Sequence, residues 1–149
     1  MQPFIIRITL LALITLLSAC SHCNKQTTGL QRVYYNTWER DIGYAQVVRE
    51  GNRLYVSGIA SDAKDFDSQL QEIYSNISKI LADNHLDTSA ILKETIYTTD
   101  IEALKKAIPL RKTFYPKGEF PSASWVQVTR LFMPGQLIEV ELEILFNTH

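Results

Sequence analysis

The chain has 149 residues with 15 basic and 16 acidic side chains, a formal net charge of −1. Hydrophobic residues make up 46% and charged ones 21%, the balance of a single globular domain rather than a disordered chain. Nothing in that charge supplies the basic face or stripe that nucleic acid demands, so no nucleic-acid partner is expected.

The N-terminus departs from that average. Arg7 is followed by Ile8–Leu17, apolar apart from Thr9 and Thr15, and then by Leu17-Ser18-Ala19-Cys20. The apolar stretch falls short of the roughly 20 residues of a membrane span and has the charged start and apolar middle of an export signal. Its end resembles the lipobox of bacterial lipoproteins, in which the signal is cut before a cysteine that carries a diacylglyceryl thioether. That reading makes 1–19 a signal peptide and Cys20 a lipidation site. It places the protein in the cell envelope, on the periplasmic side of the outer membrane because Ser21 is not the aspartate of inner-membrane retention. A thioether sulfur forms no thiolate, so Cys20, His22 and Cys23 are read as an address and not as a redox or metal motif. Residues 20–31 are polar and aperiodic, a tether reaching at most roughly 35–40 Å.

The globular part, 32–149, begins with strand-like "RVYYNTW" and "YAQVVRE". Glu50-Gly51-Asn52 is a turn signal that predicts a hairpin over Tyr44 to Gly58. Phe66, Leu70, Ile73, Ile77, Ile80 and Leu81 recur at helical spacing, predicting an amphipathic helix from about Asp65 to Asn84. Ile91 to Thr99 returns to strand character, and a second helix is expected over roughly Glu102 to Tyr115, with Pro109 marking a kink or a restart. "SASWVQVT" and "LIEVELEILF" close the chain as strands. The order β-β-β-α-β-α-β-β predicts an α+β fold in which two helices cover one face of a mostly antiparallel sheet.

The sequence carries no nucleophile elbow, phosphate loop, dinucleotide fingerprint or metal-ligand cluster, so neither metal nor cofactor is expected. In the last strand Glu139, Glu141 and Glu143 alternate with Ile138, Val140, Leu142 and Ile144, which puts three carboxylates on one face. Such a row is ordinarily a solvated face, although a carboxylate at a sheet end can orient a water. Small Ser122, Ala123 and Ser124 would admit a close-approaching backbone or ligand. Trp125, if it faces the second side of the sheet, marks a surface buried by a partner subunit.

In order and spacing, these pieces resemble the Rid (YjgF-like) family of imine and enamine deaminases, from about Ile42 to Ile144. The matching residues are Ile42-Gly43-Tyr44 with Gln46, Leu54 to Gly58, Thr98-Thr99-Asp100, Phe120-Pro121, Arg130-Leu131 and Ile138 to Glu141. The resemblance implies a chorismate-mutase-like fold, a homotrimer with sites at the subunit clefts, and hydrolysis of small 2-imino or enamino acids to 2-oxo acids and ammonia, as in 2-iminobutanoate/2-iminopropanoate deaminases. It implies further that Glu139 positions the attacking water and that Tyr44, Ser57 and Gly58 shape the pocket.

The same resemblance exposes a departure. The family arginine that grips the substrate carboxylate should stand at Ala123, its common cysteine at Trp125, the glutamine after serine-glycine at Ile59, and a cleft asparagine near Ile108. Alanine forms none of the bidentate bonds of a guanidinium, a loss of roughly 2–5 kcal/mol. Arg111, inside the apolar stripe of the second helix, either snorkels to the rim or clamps the carboxylate from another element. Two functions therefore stand: an envelope-tethered hydrolase, or a catalytically silent trimer holding a small apolar or aromatic ligand in a cleft built from Ser124, Trp125 and their neighbours.

Overall fold

The computed structural model describes residues 29–146; the signal segment, Cys20 and Cys23 lie outside the described residues. Six strands form one sheet in the order β1-β2-β3-β6-β4-β5. They are β1 (Gln31–Val33), β2 (Val47–Glu50), β3 (Arg53–Ala60), β4 (Ile91–Thr98), β5 (Ser122–Gln127) and β6 (Ile138–Leu145). Every pairing is antiparallel except β4 with β5. Helices α1 (Trp38–Ile42), α2 (Phe66–Asp83), α3 (Ile101–Lys106) and α4 (Ile108–Lys112) complete the α+β fold.

The helical stripe and the strand alternation build one core. Leu70, Ile73, Ile77 and Leu81 of α2 meet Leu54 and Val56 of β3 and Ile138, Val140, Leu142 and Ile144 of β6. Asp65 caps α2 by accepting the Ser68 N–H at 2.8 Å, which satisfies one of the orphan donors of the first turn. The glutamates of β6 point the other way, onto a face where Tyr55, Lys93, Glu141 and Glu143 surround a depression of about 260 Å³.

Two expectations need correction. The strand predicted over 32–38 stops at Val33, and Trp38 opens α1. The cause is Glu39, fully buried, whose carboxylate accepts the N–H groups of Tyr35 and Asn36 and the Asn36 side-chain amide at 2.9–3.0 Å. Those bonds curl the chain, and Gly43 at φ 98° ends the turn, a left-handed conformation glycine adopts without strain. The second helix divides at Ala107, with Pro109 in the first turn of α4, where its missing N–H costs nothing.

Candidate active site

Glu139, Tyr44, Ser57 and Gly58 come together in one concavity of about 1150 Å³. The local cause is a bulge in β3: Val56 pairs with Leu142 but Ile59 with Val140, so Ser57 and Gly58 hold one residue more than the facing strand. The bulge is tied to the two residues that lead into β2. The Ser57 N–H donates to the Gln46 carbonyl and the Gln46 side chain to the Ser57 carbonyl, both at 2.9 Å, while the Ser57 hydroxyl donates to the Ala45 carbonyl at 2.8 Å.

Gly58 leaves the room in which the Glu139 side chain sits. A Cβ there would lie 2.0 Å from Glu139 Oε1 and 2.6 Å from its Cδ, so the carboxylate rests directly on the glycine backbone. Burial raises the Glu139 pKa above its ordinary value of 4.5, and neighbouring Glu141 raises it further. Tyr44 titrates above its usual value through burial and the carboxylates of Glu39 and Glu139. A half-buried carboxylate of raised basicity beside a phenol is a group fit to take a proton from water.

The remaining expected site residues lie elsewhere. Ala123 and Trp125 pair with Glu94 and Ile96 and share their face, the helical side of the sheet. Trp125 thus packs against the core, its ring 5.3 Å from the Arg111 guanidinium, so the condition under which it would mark a partner surface on the sheet's second side is not met. Ser124 pairs with Thr95, which pairs with Glu141. It is therefore on the carboxylate face but two strands, about 10 Å, from β6. The buried Trp125 indole N–H has no partner among the described residues.

Arg111 does not snorkel; it turns inward to Glu94. It is 4% exposed and donates from Nε at 2.9 Å and Nη2 at 2.5 Å to one oxygen of Glu94, which is fully buried. The other Glu94 oxygen accepts the hydroxyls of Tyr74 and of Tyr115, the latter at 2.9 Å. A buried carboxylate needs this counter-charge, so the pairing overrides any outward role for Arg111. Glu94 was missed in the sequence, where a single glutamate in a strand reads as solvated. Its signal was its place in register with Ile96 and Thr98, both inward-facing.

Residues 39–145 match the family described as Endoribonuclease L-PSP. The chain belongs to that family. A RutC family protein of Buchnera aphidicola is 27% identical over 109 residues, spanning 68% of this chain and 86% of its own. Among solved structures, a Mycobacterium tuberculosis member of the YjgF/YER057c/UK114 family superposes with a TM-score of 0.71 at 25% identity, over 78% of this chain and 99% of its own. A Yersinia pestis protein of the conserved Rid family gives 0.65 at 24%, over 69% and 87%. The L-PSP family chain thus shares the fold that the order of its short motifs implied.

Proposed function

We propose that this L-PSP family protein hydrolyses imines or enamines of 2-amino acids, as a homotrimer tethered to the cell envelope through Cys20. The observation that carries the reading is the Glu139 carboxylate, half-buried against Gly58 and raised in basicity beside Tyr44. Glu139 takes a proton from water as the oxygen attacks C2 of the imine. The nitrogen acquires protons and the C–N bond breaks, leaving a 2-oxo acid and ammonia. Neighbouring copies would close the concavity, since the carboxylate face of the sheet and the β5 edge are uncovered in one chain. The small-molecule substrate is favoured over RNA because the charged side chains of the concavity, Asp62, Glu72, Lys79 and Glu139, sum to a negative wall.

A second reading, a silent binding module, is favoured by one specific observation. The family arginine position is Ala123, and Arg111 is committed to Glu94. The test mixes the protein with 2-aminoacrylate generated in place and follows 2-oxo acid release, with Glu139→Gln and Ala123→Arg in parallel. The hydrolase reading expects acceleration that falls at least about 100-fold in Glu139→Gln. No acceleration by the folded protein would sink that reading and leave the binding module.

A further inference from the structure

The concavity is larger than a short-chain imino acid needs. In a single chain, before any neighbouring copy closes it, its volume is about 1150 Å³, against roughly 300–1,000 Å³ for ordinary ligand pockets. Beyond the polar floor of Ser57, Gly58 and Glu139 the lining divides between a charged wall of Asp62, Glu72 and Lys79 and a set of large apolar side chains. Trp38 and Ile42 stand 48% and 52% exposed, and Phe132 and Met133 stand 67% and 49% exposed. Four large apolar side chains left in water around one cleft mark a binding surface rather than scattered exposure.

The loop that presents Phe132 and Met133 is braced in that position. Gln69 of α2 is buried, and its side chain donates to the carbonyls of Ala63 and Gly135 and accepts the Leu137 N–H, all at 2.8–2.9 Å. The Gln136 side chain accepts the Met133 N–H at 3.0 Å, and the Leu137 carbonyl accepts the Thr98 hydroxyl at 2.9 Å. One buried amide thus fixes two loops that line the cleft, those of Ala63 and of Gln136. A surface held in advance costs little ordering on binding. Trp38 is fixed from the other side by the Glu39 turn and lies 6.0 Å from Tyr44, ring centre to ring centre.

We propose that this cleft selects 2-imino and 2-oxo acids with a bulky apolar or aromatic side chain, and that Phe132 and Met133 set the preference. The inference rests on the reading of the Glu139 cleft as the substrate site and adds the class of side chain it takes. Phenylpyruvate and pyruvate serve as probes in calorimetric titrations of the full chain and of a Phe132→Ala, Met133→Ala variant. Phenylpyruvate is expected to bind at least tenfold tighter than pyruvate. The double substitution should weaken phenylpyruvate about tenfold and leave pyruvate within twofold. Equal affinities, no binding of phenylpyruvate at millimolar concentration, or an unchanged ratio in the variant would each overturn the proposal. So would a variant that sediments as a smaller species than the parent, because the two side chains would then join copies of the chain. Calorimetry separates the two ideas: a preference without turnover refutes the hydrolase alone, and turnover without a preference refutes this inference alone.

Discussion

Gly58→Ala is the most direct challenge to the site. The added methyl would stand 2.0 Å from Glu139 Oε1, and ordinary contact begins near 3.4 Å, so the carboxylate oxygen must retreat by about 1.4 Å. The obstruction is the Glu139 side chain from Cγ outward, with Cγ itself 2.9 Å away, so relief takes a rotation about the Cα–Cβ bond that swings the whole side chain aside without moving β6. The backbone meanwhile loses freedom in the unfolded state, which favours alanine by about 0.4–1 kcal/mol. Stability should therefore change by less than about 1 kcal/mol, while on the proposed reading a displacement beyond 1 Å at the Glu139 carboxylate costs about 100-fold in rate. Two assays read this: 2-oxo acid release, and titration of the Glu139 carboxyl carbon by NMR, whose midpoint should fall toward the ordinary value as the group swings into water. A variant that keeps both the rate and the raised midpoint would refute the idea that the glycine seats the carboxylate.

Glu139→Gln should stabilise the fold at neutral pH. Burial makes the charged carboxylate unfavourable in the folded state, so the parent carries that penalty above the raised pKa. The advantage of glutamine shrinks as pH falls through that pKa and is gone below 4.5, measurable as Tm against pH. Arg111→Ala strands the buried Glu94 carboxylate and should cost about 3–5 kcal/mol, on the order of 10–20 °C in Tm by calorimetry; a drop under about 1 kcal/mol would show the pair to be dispensable. Labelled palmitate should enter the unaltered chain and not Cys20→Ser, and equal labelling would remove the anchor.

What could be read in the sequence was whatever repeats at short range. The α2 stripe and the β6 alternation impose one buried side each, and both elements stand within a residue or two of where periodicity puts them. Tyr44, Ser57, Gly58 and Glu139 could be gathered because motif order carried them, though they come from three separate stretches of chain. Contacts that depend on a single polar residue in an apolar setting were not legible. Glu39 turned an aromatic, strand-like run into a helical turn. Gln69 sits unmarked within the apolar stripe of α2, and Glu94 met Arg111 across 17 residues of sequence. Each of these polar groups is buried and hydrogen-bonded, and only the tertiary fold shows its partners.

The Glu94–Arg111 pair also decides how a carboxylate ligand must be held. Ala123 brings no charge of its own, and the Arg111 guanidinium already faces a carboxylate with two tyrosine hydroxyls on it. An anionic ligand entering beside Glu139 therefore meets like charge and raises the glutamate's pKa further. Association is opposed on the polar side of the cleft, and the favourable free energy has to come from apolar surface removed from water. That surface is present where Trp38, Ile42, Phe132 and Met133 border the same concavity. On the proposed reading the apolar lip makes up for the missing cation: the cleft grips its ligand by the side chain and leaves the carboxylate to the solvent or to a neighbouring copy.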